Sequence, residues 1–207
     1  VLVYSQEMGE NELIDRMVSN LSGVNYNRLT SKNLSEKEWK LVEVAYEAIE
    51  NLPIFIQDTA KVNINDIRAT ARQFKRKYGK IAMIAVDYLQ IMDIPQKKNE
   101  TRAQAIGNVT STAKQIAREM NCCFMMLSQM TRSFEEAKAP QLSHLKESGS
   151  IEQDADVVEF LWHDPKDTVN GGKVIQQTIA KGRNVGVNQF RLLFKGWEQK
   201  FEELPKK

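Results

Sequence analysis

The chain reads as an α/β protein: a mostly parallel sheet flanked by helices, with an antiparallel extension toward the C-terminus. Three observations carry this. Short apolar runs alternate with longer helical periods up to about residue 130. The strongest run, Ile81-Ala-Met-Ile-Ala-Val86, is apolar on both faces, as befits a parallel strand covered by helices on both sides. Beyond residue 157, three apolar segments follow one another across short turns, without a helical stretch between them.

Taken in order, Val1–Tyr4 is a β-branched strand that begins abruptly. Leu13, Ile14, Met17, Val18 and Leu21 recur at helical spacing over about 10–22. Ser35 followed by Glu38 forms a capping box, because each side chain can bond the other's backbone N–H. It opens a helix with Trp39, Val42, Ala45, Tyr46 and Ile49 on one face. Pro53 precedes a short strand, Ile54–Ile56. Asn63 or Asn65 caps a basic helix whose apolar stripe is Ile67, Ala71, Phe74 and Tyr78, and its Arg and Lys residues read as a solvated face. The polar stretch Asp93–Thr101 predicts a loop, and Ala105 through Ala117 a helix over about 102–120. Cys122–Leu127 predicts a buried strand, with Cys122, Cys123, Met125 and Met126 as core packing. Residues 131–141 read as loop. Val157–Trp162, Val174–Ala180 and Gln189–Phe194 are the later strands, with Gly171-Gly172 marking a turn. No repeat, linker or low-complexity tract interrupts the chain, so its 207 residues are expected to form a single domain.

Composition narrows the function classes. No apolar run approaches the roughly 18 residues a membrane helix requires, and no secretory pattern opens the chain. The only cysteines are adjacent, and the only histidines are His144 and His163, so neither zinc spacing nor a histidine metal centre is available. Adjacent cysteines in an apolar run fit a reducing cytosol. The net charge is +2, so any DNA contact rests on a few placed groups rather than a general positive field.

Five sets of residues could carry chemistry. Asp87 ends the strongest strand, the position from which a Walker B carboxylate holds Mg²⁺; carboxylates also end buried strands for no catalytic reason. Glu7, just past the first strand, could polarise a water for attack on a γ-phosphate, or could simply complement a helix dipole. Gln129, after the Cys122–Leu127 strand, has an amide that could bond a γ-phosphate, or is a plain loop residue. Lys181 and Arg183 flank a turn. The planar, permanently charged guanidinium suits an arginine finger, although solvated basic turns are commoner. Lys146, Glu147 and Gly149 lie in a polar loop where exposed N–H groups could grip phosphates, or where a helix merely begins.

The order of these features strengthens each of them. Glu7 after a strand, Val86-Asp-Tyr-Leu-Gln-Ile-Met92, Ala117-Arg-Glu-Met-Asn121, Ser128-Gln129, Glu147-Ser-Gly-Ser-Ile-Glu-Gln-Asp-Ala-Asp156 and Lys181-Gly-Arg-Asn184 follow one another in an order that resembles the ATPase domain of the DnaB-type replicative DNA helicases. The resemblance runs from Val1 to about Leu204 and implies a RecA-like fold. It also implies an ATP-hydrolysing enzyme that unwinds duplex DNA while translocating on single-stranded DNA, with ATP and Mg²⁺ as cofactors. Glu7 would activate water, Asp87 would hold Mg²⁺ and Gln129 would sense the γ-phosphate. Lys181 and Arg183 would reach the neighbouring subunit's nucleotide in a ring, typically a hexamer. Lys146, Glu147 and Gly149 would touch the DNA backbone. A primase and a helicase loader are the expected partners, and the bacterial or phage-infected cytoplasm the expected location. Gln6 replaces the family's usual leucine, a change expected to matter little. Lys146 replaces an arginine, so a two-pronged phosphate contact becomes a point charge. The Val185-Gly-Val-Asn188 turn also departs from the family's usual Gly-Pro-Thr-Gly.

Nothing in these residues matches Gly-x-x-x-x-Gly-Lys-[Ser/Thr]; Gly171-Gly-Lys173 continues with valine. The phosphate loop of the family lies just upstream of Val1. These residues alone are therefore expected not to hydrolyse ATP, and to expose sheet edges. Two other readings compete: a recombinase- or circadian-clock-type ATPase, disfavoured by the Glu147–Asp156 segment, and a non-catalytic RecA-like module that regulates a helicase or binds DNA.

Overall fold

The computed structural model describes residues 1–131, 139–145, 148–169 and 172–205. It consists of two compact units. The first comprises Val1–Gly9 and Ile54–Val158, the second Glu10–Pro53 and Glu159–Lys207.

The first unit is built on a four-stranded parallel sheet of β1 (Leu2–Ser5), β2 (Phe55–Gln57), β3 (Met83–Asp87) and β4 (Cys123–Met126), in the order β2-β1-β3-β4. The register pairs Ser5 with Asp87 and Val86 with Met126, so the C-terminal tips of three adjacent strands lie side by side. Ile84 and Val86 are fully buried, whereas Ile81 is buried just ahead of the strand. Two long helices cover the sheet. α4 (Ile64–Tyr78) is capped by Asn63, whose side chain accepts from the Asn65 N–H, so of the two candidates Asn63 is the cap. α5 (Arg102–Met120) starts at the expected residue. Thr101 and Gln104 cap it reciprocally, and Asn121 ends it in the left-handed conformation.

One face of α5 carries Ala105, Ile106, Val109, Ala113, Ile116 and Met120 into the main core, with Ile67 and Ala71 of α4. The basic face of α4, expected to be merely solvated, also ties the two helices together. Arg68 and Arg72 pair with Glu119, and Lys75 Nζ donates to the carbonyls of Glu119 and Met120 at the end of α5.

β4 corrects one expectation. Only Cys122, Phe124 and Met126 pack against the core, whereas Cys123 is exposed and Met125 and Leu127 are 41% and 47% exposed. Successive side chains of a strand face opposite sides, so a uniformly apolar run does not guarantee cover on both. Both thiols are free.

The second unit holds α1 (Glu10–Ser22), α2 (Tyr26–Thr30) and α3 (Glu36–Glu50), together with an antiparallel sheet. Both halves of the Ser35–Glu38 capping box are present on α3. Val18, Val24, Leu29, Val42 and Ala45 form the core of the helical part. Trp39 and Tyr46 lie outside it, 43% and 40% exposed, although their spacing places them on the inner face. The apolar stripe of α3 is wider than the surface α1 covers. α2 has only five residues, and periodicity could not reveal it; Asn25 caps it by accepting from the N–H groups of Asn27 and Arg28.

The sheet order is β5-β6-β7-β8, with β5 at Val157–Trp162, β6 at Lys173–Gly182, β7 at Asn188–Lys195 and β8 at Lys200–Leu204. The fourth strand went unpredicted because Lys200-Phe-Glu-Glu-Leu204 has too few apolar positions to show an alternation. Within this unit Asp167 is 5% exposed. The guanidinium of Arg191 on β7 holds both its carboxylate oxygens at 2.7 Å, and Gln176 Nε2 on β6 donates to it at 2.7 Å.

Candidate functional site

The first unit gathers three of the candidate residues. β1, β3 and β4 are neighbours in one parallel sheet, and Glu7, Asp87 and Gln129 stand at or just beyond their C-terminal ends. In a parallel sheet of this kind ligands collect at that edge. Two local devices shape it. Ser5 Oγ donates to the Met8 carbonyl at 2.6 Å, closing the bend that carries Glu7. The Gln6 N–H donates to the Asp87 carbonyl at 3.1 Å, extending the β1–β3 ladder past the last paired residues. The Asp87–Tyr88 peptide bond is cis.

Gln6, expected to matter little, does more than fill space. Its side-chain oxygen accepts from the Val62 N–H at 2.9 Å, and its amide donates to the Tyr88 carbonyl at 3.4 Å. Beside these groups opens a cavity of about 680 Å³ lined by Gln6, Glu7, Lys61, Tyr88, Gln90 and Arg102, among others.

The electrostatics of the edge are those of two neighbouring acids. Burial, and then the charge of Glu7, push the Asp87 carboxyl above its ordinary range. An acidic pair strained in this way gains when a cation arrives. No group of three or more His, Cys, Asp or Glu suited to a metal occurs among the described residues. Mg²⁺ does not need one, since it is commonly held by one or two carboxylates together with substrate phosphates and water. The residues present therefore fit Mg²⁺ held with a nucleotide.

The other candidates fall elsewhere. Lys181 is the penultimate residue of β6, and Arg183 begins the turn to β7, exposed at the tip of a hairpin in the second unit. Gly182 is required there, because a Cβ would run into the Gly186 carbonyl and the Val185 side chain. Lys146 and Glu147 lie outside the described residues. Gly149 falls in the first turn of α6 (Ser148–Asp154), with nothing within 4 Å of where a Cβ would stand. Space alone therefore does not dictate glycine at that position.

α6 is fixed to α5. Thr110 Oγ1 donates to Asp154 Oδ2, and Lys114 Nζ donates to the Asp154 carbonyl at 2.9 Å and pairs with Asp156 at 2.6 Å. Gly107 lets the helices approach, since a Cβ there would sit 2.7 Å from Ser150 Oγ and 3.1 Å from Ser150 Cβ. Gly107→Val is expected to push the helices apart and to cost about 1–3 kcal/mol, read as a lower urea midpoint at unchanged slope. An unchanged midpoint would mean that the contact yields freely.

A parallel sheet whose adjacent strand tips carry two carboxylates and an amide belongs to the class of α/β proteins that gather a ligand at the C-terminal edge of the sheet. The particular family follows from comparison. The model of the DnaB-like helicase C-terminal domain matches residues 1–203, and the chain belongs to that family. It is 36% identical over 212 residues to the replicative DNA helicase DnaC of Bacillus subtilis (strain 168), covering 100% of this chain and 46% of that protein. To the replicative DNA helicase DnaB of Geobacillus stearothermophilus it is 35% identical over 212 residues, with the same coverage. Among solved structures, one described as an ATPase domain superposes with a TM-score of 0.89 at 32% identity, covering 99% of this chain and 74% of that one. A DnaB-like replicative helicase, described with its interactions with primase, gives the same score and identity over 99% of this chain and 50% of its own. The chain thus spans about half the length of the curated helicases it matches. Among the described residues no helix is long and apolar enough to cross a membrane.

Proposed function

We propose that this chain is part of the motor domain of an ATP-dependent replicative DNA helicase, and that Glu7, Asp87 and Gln129 form its hydrolytic edge. The observation that carries the reading is the placing of these three residues on the tips of three adjacent parallel strands, within a family whose curated members are replicative helicases. Asp87 is the residue to hold Mg²⁺, which when bound neutralises phosphate charge. Glu7 takes a proton from the attacking water, a role that suits an exposed carboxylate two residues beyond the strand. Gln129 offers its amide to the γ-phosphate.

Lys181 and Arg183 act on the nucleotide of a neighbouring subunit. An exposed guanidinium at a hairpin tip can neutralise charge that develops on a phosphate held by another chain. This requires a homo-oligomeric ring, a hexamer in our reading. Lys146, Glu147 and Gly149 contact the backbone of single-stranded DNA without reading its sequence. A primase and a loader complete the assembly, which works in the bacterial or phage-infected cytoplasm.

The test is DNA-stimulated ATP hydrolysis by the full-length protein, wild type beside Glu7→Ala and Arg183→Ala. Both variants are expected to lose at least about 10²-fold in kcat. Mixing them should restore part of the activity, because an intact Glu7 then meets an intact Arg183 across some interfaces. Full activity in either variant, or no recovery on mixing, would remove the assignment.

A further inference from the structure

Gln90 lies in Val86-Asp-Tyr-Leu-Gln-Ile-Met92, one of the stretches that carry the resemblance, yet the functional reading gives it no part. The structure assigns it one. Beyond the last paired residues of β3 and β4, the backbone ladder continues only through Leu127 N–H to the Val86 carbonyl and Leu89 N–H to the Leu127 carbonyl, both 3.0 Å. The next residues, Ser128 and Gln129, are held by the Gln90 side chain. Its Oε1 accepts from the Gln129 backbone N–H at 3.2 Å, and its Nε2 donates to Ser128 Oγ at 2.9 Å. The backbone N–H can only donate, so the oxygen must face it and the amide must face the hydroxyl. A side chain offering acceptor and donor at once meets both demands; leucine or methionine of similar size meets neither.

Gln90 is itself held. Arg102 donates from one guanidinium nitrogen to the Gln90 carbonyl at 3.3 Å and from another to the Ile94 carbonyl at 3.4 Å. Arg102 opens α5, so the support stands on the longest helix of the first unit. Gln129 is exposed between two backbone anchors, the Leu127 bonds on one side and the Met130–Leu145 bridge on the other, and the Gln90 side chain ties the two residues between them.

We propose that Gln90 is a positioning residue: it fixes the Ser128–Gln129 segment against the loop that follows Asp87, so that the Gln129 amide meets a γ-phosphate in one geometry. This rests on the reading of Gln129 given above. A displacement of about an ångström at a group acting in the transition state can cost up to about 10²-fold in rate.

The experiment is a double-mutant cycle in the full-length protein: DNA-stimulated ATP hydrolysis of Gln90→Leu, Gln129→Ala and the double variant, with kcat and KM for ATP measured separately. Gln90→Leu is expected to lose about 10–100-fold in kcat with KM changed by less than about threefold, and to add little once Gln129 is alanine. Ser128→Ala removes only the second bond. It should lose a smaller factor, also absorbed by Gln129→Ala, and it serves should Gln90→Leu fail to fold. Losses that multiply in the double variant, or a Gln90→Leu enzyme with wild-type kcat beside an impaired Gln129→Ala, overturn the proposal while leaving the site intact. A Gln129→Ala enzyme with wild-type kcat overturns the underlying reading, and this proposal with it.

Discussion

Asp87→Asn is expected to abolish most ATP hydrolysis, by about 10²–10³-fold or more, while raising the thermal midpoint of the protein free of nucleotide. The first effect follows from removing the charge proposed to hold Mg²⁺. The second follows from the environment of Asp87. Burial and the neighbouring Glu7 raise its pKa in the folded state, so the folded protein holds that proton more tightly than the unfolded chain does. For an acid shifted upward, ionisation costs stability. The cost is absent below the unfolded pKa, grows as pH rises toward the raised folded value, and is present in full above it. Asparagine cannot ionise, so its advantage should appear at pH 7 and fade as the solution is acidified. Thermal melts of both proteins at pH 7 and near pH 4, in chelator, read this directly. A variant less stable than wild type at pH 7, or an advantage that grows in acid, would contradict the assignment. Such a gain would mark Asp87 as a residue kept for function at the expense of the fold.

The largest loss of stability is expected at Asp167. Its carboxylate is buried and accepts from Arg191 through two bonds of 2.7 Å, and from Gln176. Asp167→Ala removes a buried carboxylate and with it three hydrogen bonds, two of them from the partly covered guanidinium of Arg191, which loses its counter-charge. For a protein of this size that lowers the thermal midpoint by several degrees. Replacing both partners, as in Asp167→Leu with Arg191→Met, should recover most of the loss, because neither charge is then stranded. If the single variant melts within a degree or two of wild type, the pair carries little. The consequence reaches function, since Gln176 and Arg191 lie on β6 and β7, the strands whose connection presents Arg183.

Much of this was legible in the sequence because it is local. The capping box at Ser35 and Glu38 needs only four consecutive residues, and both halves of it are present. The end of β3 at Asp87 and the start of α5 at Arg102 follow from an apolar run and a helical period. The catalytic candidates were found at strand exits, and the resemblance that ordered them is matched by the family over residues 1–203. What failed was local pattern taken as burial. Trp39 and Tyr46 have the spacing of an inner face, and Cys123 and Met125 sit in an apolar run, yet all are exposed. Whether an apolar side chain is covered depends on the element that comes to lie against it, which no window of neighbouring residues contains.

The sequence by itself thus determined the alternation of elements, their caps and the residue types at each strand exit, because those depend on φ/ψ preference and hydrophobic period within a few positions. Only the tertiary structure decided that β1 lies between β2 and β3, which brings Glu7 beside Asp87. It alone joined Gln90 to a segment 39 residues further along the chain, and Asp167 to an arginine 24 residues on. Hydrogen bonds and charges act over a few ångströms in space, and chain folding alone decides which distant residues come within that reach.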